Sequence, residues 1–462
     1  LGKAAAVILA AGEGKRMKSD KSKVLHEVLF KPMIDWVMDS VTEADIDNIC
    51  VVLGHNADQV SEHLNKRGQK YTYVLQEEQL GTGHAVMQAR EYLEQTKPED
   101  VLILNGDTPF IDSSLIKSFY LEHKNKKNDV TILTSIADNP FGYGRIVRDS
   151  SGNVKGIIEE KDATDDERKI KEINAGAYWF KTDVLLEALS HLNGDNAQHE
   201  YYLTDTVKII SGQGLRAGTC IVDMKYTAGA NSRKQLLELN NIARQLVFEK
   251  LFDAGVTITD ISGVSISPDA EIGYDTVILP GTIIKGKTKI GIGCQIGPNS
   301  LIDNCVLGDN VVFNASQARN SKIGNNVTVG PFSQLRPDCV IAENVHIGDF
   351  VEVKNSNIGC GTKIAHLTYV GDSDVGGGVN FGCGVVTVNY DGVKKSRTII
   401  GDNAFIGCNT NLIAPVKVGN GAYTAAGSTI TMDIPDGALS VARSRQQNID
   451  GWAEKKLKNR KK

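Results

Sequence analysis

No apolar run in the chain approaches the roughly 20 residues a bilayer-crossing helix needs, which excludes an integral helical membrane protein. No Cys-x-x-Cys pair occurs among the eight cysteines. That argues against a zinc site or a disulfide framework and fits reduced thiols in a cytosol, where most would serve as small buried hydrophobes. Nor does either charge dominate: 51 basic and 56 acidic side chains leave a net charge of −5, so no global field recruits nucleic acid and any anion site must be local. Only the final stretch KKLKNRKK is strongly basic, and a solvated, frayed tail is expected there. The segment KAAAVILAAG resembles a signal peptide, but its apolar run is short and charged residues follow at once; a buried strand is the expectation. Together these absences predict a soluble, cytoplasmic protein.

At 462 residues the chain exceeds one ordinary core, so two or three domains are expected. Residues 1–228 alternate strand-like runs (AAVILA, NICVVLG, DVLILNGD, DVTILTSI) with amphipathic stretches, a pattern that predicts an α/β domain around a mainly parallel sheet. Residues 229–255 place Leu236, Leu239, Ala243, Leu246 and Lys250 at helical spacing, predicting a linking helix.

From residue 256 the period changes. Ile266, Ile272, Ile278, Ile284, Ile290, Ile296 and Ile302 fall six apart; the pattern resumes at Ile323, Val329, Leu335, Ile341, Ile347 and Val353, and again at Ile400, Ile406, Leu412 and Val418. Glycine often follows the aliphatic residue, as at Gly273, Gly291, Gly348 and Gly407, and glycine is expected to supply the positive φ that some corners need. Short strands joined by corners give a strict six, so a parallel β-helix of about ten coils is expected over 256–436, with a tail at 437–462. Residues 18 apart would then stack at roughly 4.8 Å. Slips of five (Val353 to Ile358, Val370 to Val375) and the interruption NYDGVKKSR at 389–397 mark where loops leave the solenoid.

The stretch LAAGEGKRMKSDKSKVLH follows the first strand. It is no Walker loop, and Gly12-Glu13-Gly14 lacks the third glycine of a dinucleotide fingerprint, Met17 standing there. What remains is either a structural turn beside a basic face or a phosphate cradle of glycine amides flanked by Lys15, Arg16 and Lys23. Asp107, in NGD at the end of a strand, suits either Mg²⁺ or a turn before Pro109.

In order, LAAGEGKRM, SKVLH, LQEEQLGTGHA and LNGDTP resemble the motifs of sugar nucleotidyltransferases. The repeats resemble those of left-handed β-helix acyltransferases. With AHLTYVGDSDVGGGVNFGCG and VNYDG, the whole chain is similar to the bacterial bifunctional N-acetylglucosamine-1-phosphate uridyltransferases and glucosamine-1-phosphate N-acetyltransferases. The resemblance implies a Rossmann-like nucleotidyltransferase domain, a linking helix and a left-handed parallel β-helix. It implies acetylation of glucosamine 1-phosphate by acetyl-CoA, then uridylyl transfer from UTP to N-acetylglucosamine 1-phosphate, giving a cell-wall precursor and pyrophosphate. By the same resemblance Asp107 and Asn231 hold Mg²⁺, and Arg16 and Lys23 face phosphates. Leu9, Ala10, Ala11, Gly12, Gln76, Gly81 and Thr82 contact uracil and ribose; Gly144, Glu159 and Asn174 hold the N-acetylhexosamine. A homotrimer with shared acetyl sites, no nucleic-acid partner and no membrane association are also implied. Ala230 before Asn231 departs from the bulkier residue of the family pattern.

The repeat register adds an argument of its own. Arg336 and Lys354 lie 18 apart and should stack, which calls for a bridging anion or for neutralisation by Glu352 or Asp338. Amine attack on a thioester needs a proton acceptor, and of nine histidines only His346 and His366 lie in the repeats. A lone His is more often structural, but the place of His366 between the slips and beside Tyr369, together with the AHLTY match to the family, makes it the expected general base; the resemblance sets Tyr369 and Asn380 at the sugar and Asn389 and Tyr390 at acetyl-CoA. Cys383, allowing for the slip, stacks next to His366, so an acyl-cysteine route stands as a rival; the resemblance implies direct transfer, with Cys383, Cys408, Ala426 and Arg443 along acetyl-CoA. Cys408 departs from an expected Ser. Two other readings remain open: a single-activity nucleotidyltransferase whose β-helix only trimerises, and a scaffold with relic sites.

Overall fold

The computed structural model describes Leu1 and residues 3–460, side chains included up to residue 457; the last two lysines of the basic tail lie outside the described residues. The chain divides into two compact units, Leu1–Leu246 and Val247–Lys462. No described helix is long and apolar enough to cross a membrane.

In the first unit the predicted opening strand is Ala4–Ala10. Successive side chains of a strand point to opposite faces, and here both faces are covered: Ala4, Ala6 and Ile8 join one buried cluster with Val51, Leu102 and Leu104, whereas Ala5 and Val7 join another with Cys50, Val101 and Ile103. Burial on both faces explains the unbroken apolar runs. The strand order is Ala217–Val222, Val130–Ile136, Glu172–Lys181, Asp100–Asn105, Ala4–Ala10, Asn48–Leu53, Thr72–Leu75. All neighbours are parallel except Glu172–Lys181, antiparallel to both its partners. A hairpin, Arg145–Arg148 with Val154–Ile158, attaches to that long strand. The expected helix runs Arg233–Asp253.

In the second unit, three parallel sheets of 11, 10 and 9 strands form the sides of a β-helix. Most strands are two residues long, the first outward and the second buried, as at Lys289–Ile290 and Gln295–Ile296. The inward ladder is continuous where the sequence pattern breaks off. Ile290 stacks on Leu307, Ile296 on Phe313 and Ile302 on Ala318, then Leu307 on Ile323 and Phe313 on Val329. Coils of 16 and 17 residues thus alternate with the expected 18, and residues 303–322 are ordinary solenoid.

Glycine supplies positive φ at some corners, among them Gly281, Gly293, Gly378 and Gly384, but not directly after the aliphatic residue. Gly273, Gly291, Gly348 and Gly407 do not have positive φ; they are glycine because the next coil leaves no room. A Cβ on Gly348 would lie 2.0 Å from the Ala365 carbonyl oxygen, and one on Gly407 would lie 2.4 Å from that of Thr424. Other corners place asparagine in the left-handed region, among them Asn310, Asn326, Asn344 and Asn409, the non-glycine residue that tolerates it best. The last rung, Leu439–Ser440, pairs with Tyr423–Thr424, so pairing reaches past residue 436 into the expected tail, which also carries the helix Trp452–Arg460. Of the cysteines, all eight free, only Cys50, Cys294, Cys305 and Cys339 are buried, whereas Cys360 and Cys408 are exposed.

Candidate active sites

A cleft of about 420 Å³ opens at the carboxyl ends of Ala4–Ala10 and Asp100–Asn105, walled by Leu9, Ala10, Ala11, Gly12, Lys23, Gln76, Gly81, Thr82, Asp107 and Asn231. Parallel strands present ligands with this end of the sheet. Gly12 leaves its share of the cleft open, since a Cβ there would meet only the tip of Lys23 at 4.0 Å. Gly14, at φ 66°, turns the chain so that Lys23 packs against it.

At the floor, the Lys23 ammonium lies 2.5 Å from Asp107 Oδ2 and donates to Asn231 Oδ1 at 3.0 Å. The two oxygens expected to bind a cation do converge on one, an ammonium. This donor set, one carboxylate and one amide oxygen with open cleft beside them, fits a Mg²⁺ that completes its shell with phosphate and water. Among the described residues no group of three or more His, Cys, Asp or Glu could hold a metal, so a site richer in protein ligands is absent there.

Gln76 is buried, donates to the Gly81 carbonyl at 3.0 Å and contacts His84. Thr82 Oγ1 accepts the Leu203 amide. Gln79, Asn105 and Glu200 also line the cleft without having been singled out; the first two lie inside the quoted motifs, but Glu200 sits in a loop with no periodic signal. Arg16 is exposed on a short 3₁₀ turn, Lys15–Met17, and does not line the wall.

Gly144, Glu159 and Asn174 form their own group. The Asn174 amide donates to the Gly144 carbonyl at 2.9 Å, and a Cβ on Gly144 would lie 3.4 Å from Glu159 Oε2. Burial pushes the Glu159 carboxyl above its usual range, against the hydrogen bond from Thr204. Asn174 Oδ1 accepts the Gly176 amide, and the Gly176 carbonyl accepts from Asn105 on the cleft wall, so the group adjoins the cleft through one residue.

In the solenoid, Asp349 pairs in register with His366, and its Oδ1 lies 2.7 Å from the imidazole Nδ1. Lys363 pairs with Asn380 and Ile364 with Phe381; two residues on, His366 neighbours Cys383. The same count from Phe381 on Ile406 and from Ile406 on Thr424 sets Cys383 beside Cys408 and Cys408 beside Ala426. Asp349, His366, Cys383, Cys408 and Ala426 therefore occupy one corner column on five successive coils. Arg443 reaches this edge, its Cδ 4.0 Å from where a Gly427 Cβ would stand.

On the adjoining side, Leu335 stacks on Val353, which brings Arg336 beside Lys354 as predicted. Glu352 pairs with Arg336 at 2.8 Å, whereas Lys354 faces more positive charge. Lys395 above all, then desolvation and Arg336, push the Lys354 ammonium below its usual range, with Asp372 opposing. The carboxylate of Asp372 accepts from Asn355 at 2.5 Å and from Asn389, and Asn389 also approaches the Tyr369 hydroxyl at 3.5 Å. Tyr390 and Lys395 form a bridge within the inserted loop. Asp349, Asp372 and Lys395 escaped the sequence argument: Asp349 lies 17 before His366, across a slip, and Lys395 lies in a loop without period.

A metal-competent cleft in an α/β unit and an imidazole edge on a hexapeptide solenoid define a two-module transferase. Residues 5–226 match the nucleotidyl transferase family profile, and residues 320–355 and 397–431 match the bacterial transferase hexapeptide profile. The chain is 52% identical to the bifunctional protein GlmU of Caldanaerobacter subterraneus subsp. tengcongensis, over 98% of each chain. It is also 52% identical to that of Acetivibrio thermocellus, over 98% of this chain and 97% of the relative, and 48% identical to that of Clostridium botulinum, over 98% of each. The chain belongs to the bifunctional GlmU family, whose carboxyl-terminal half is a left-handed β-helix.

Proposed function

We propose that the chain acetylates glucosamine 1-phosphate with acetyl-CoA in its second unit and transfers UMP from UTP to N-acetylglucosamine 1-phosphate in its first. The observation that carries this is the grouping of the candidate residues: all those expected at nucleotide and metal except Arg16 line one cleft, and the expected base stands on a separate edge, hydrogen-bonded to a carboxylate.

In uridylyl transfer, Asp107 and Asn231 would hold Mg²⁺, which neutralises phosphate charge when bound. Lys23, already between these oxygens, is the cation that would turn to the triphosphate, and the open backbone at Gly12 lets phosphate approach. Gln76, Gly81, Thr82 and Leu9 to Ala11 frame the base and ribose, and Gly144, Glu159 and Asn174 take the acetylated sugar. Positioning and charge account for most of such a reaction.

In acetyl transfer, Asp349 would accept a hydrogen bond from the Nδ1–H of His366, leaving Nε2 to take the amine's proton as nitrogen attacks the thioester. Arg336, Lys354 and Lys395 would receive the sugar phosphate, with Tyr369 and Asn380 at the sugar. Asn389, Tyr390, Cys383, Cys408, Ala426 and Arg443 would follow acetyl-CoA, Arg443 suiting a CoA phosphate. Direct transfer is favoured over the acyl-cysteine route because Asp349, not Cys383, is the hydrogen-bond partner of His366 in the structure.

Phe405 and Tyr423 stack at 5.3 Å on one outer side, both substantially exposed, with Leu439 on the next rung. This apolar strip supports a homotrimer of solenoids, and eight free cysteines suit a reducing cytoplasm.

The test is a crossed pair of variants. Asp107→Ala is expected to abolish UTP-dependent pyrophosphate release while sparing CoA release from acetyl-CoA and glucosamine 1-phosphate; His366→Ala should do the reverse. Loss of both activities in either variant would refute the two-site reading.

A further inference from the structure

Cys383 and Cys408 occupy the same turn position on consecutive coils, by the register Asn380 to Phe405 and Phe381 to Ile406. The Cys383 carbonyl accepts the Asn409 amide at 2.8 Å, which ties the two turns together. Neighbouring rungs lie about 4.8 Å apart, inside the Cα separation of about 4.4–6.8 Å that a disulfide spans. The side chain adds a second observation. A Cβ built on Gly382 would lie 2.9 Å from Cys408 Sγ, so that sulfur leans over the coil carrying Cys383, into space only a glycine leaves. Cys408 is exposed and Cys383 partly so, and in the solenoid register no other two cysteines stand on adjacent rungs.

We propose that Cys383 and Cys408 are a vicinal dithiol, a modification site that a two-electron oxidant such as hydrogen peroxide closes into a disulfide. The more exposed Cys408 thiolate attacks one peroxide oxygen, the O–O bond breaks, hydroxide leaves and takes a proton from solvent, and a sulfenic acid remains. The Cys383 thiolate then attacks that sulfur, the S–S bond forms as the S–O bond breaks, and hydroxide leaves and is protonated by solvent to a second water, so both electrons have passed to the peroxide. The bridge would re-shape the corner column between His366 and Ala426. Its effect on acetyl transfer rests on reading that edge as the acetyl-CoA site; the bond itself does not.

The test takes the full-length protein, reduced, then exposed to hydrogen peroxide, with remaining thiols alkylated and peptides mapped by mass spectrometry. The expected product is a Cys383–Cys408 cross-linked peptide lacking two hydrogens, released by dithiothreitol and absent from Cys383→Ser and Cys408→Ser. Recovery of Cys408 as sulfinic acid with Cys383 still alkylated, or cross-links through other cysteines instead, would overturn the proposal. In the oxidised protein CoA release should fall about tenfold or more through the displaced site and return with dithiothreitol, while pyrophosphate release holds. A complete cross-link with undiminished CoA release would instead overturn the acetyl-CoA reading and leave the dithiol assignment intact.

Discussion

Asp349 shows how much a single acceptor can decide. Its carboxylate is held below the usual aspartate range by the hydrogen bond to His366, and the same bond orients the imidazole. Asp349→Asn removes the charge but keeps the shape. The less well-oriented base should then cost about tenfold in the rate of acetyl transfer. The rate of CoA release checks this; an unchanged rate would show that the carboxylate does not position the imidazole. At this scale the sequence spoke unevenly. Lys23, Asp107 and His366 stand inside motifs that can be quoted, whereas Glu200, Asp372 and Lys395 are brought to their sites by loops whose course no periodicity predicts. Arg336 and Lys354 were placed beside each other by counting alone, yet the count could not tell that Glu352 would take one and leave the other facing Lys395.

Elements were legible wherever side chains repeat on a fixed pitch. The opening strand announced itself by apolar residues on both faces, and the helix Arg233–Asp253 by its spacing. The solenoid was clear where coils keep six residues to a side and opaque between 303 and 322, because Leu307, Ala318 and Ile323 arrive one residue early and Phe313 and Ala318 replace the usual aliphatic. Packing, not spacing, shows that they belong to the ladder. Ile302 is a convenient test. It is fully buried between Ile284 and the small Ala318, so its neighbours cannot swell to fill a void. Ile302→Ala should cost about 2–5 kcal/mol, read as an earlier urea midpoint for loss of acetyl transfer. A midpoint unchanged within error would mean this rung carries no structural weight.

Across the whole molecule, two chemistries reside in units whose cores are separate, which is why the crossed variants above should each silence one activity. The proposed homotrimer makes a further demand: replacing both Phe405 and Tyr423 by Asp should shift the sedimenting species from trimer to monomer and lower CoA release more than pyrophosphate release, because in that proposal only the acetyl sites would be shared between subunits. A trimer that survives both substitutions would assign the aromatic strip to something else. The change of period at residue 256 falls just past the division between the two units, which lies within the long helix at Leu246 and Val247.

The three rows of backbone hydrogen bonds in the solenoid run along its axis, and each coil bonds only to the one before and the one after. Pulled from its carboxyl end in an optical trap, such a stack has no global lock to break. It should peel like a tape, one winding at a time, each event freeing about 17 residues and lengthening the tether by about 60 Å, with the longer winding that contains residues 389–397 marking its own place in the sawtooth.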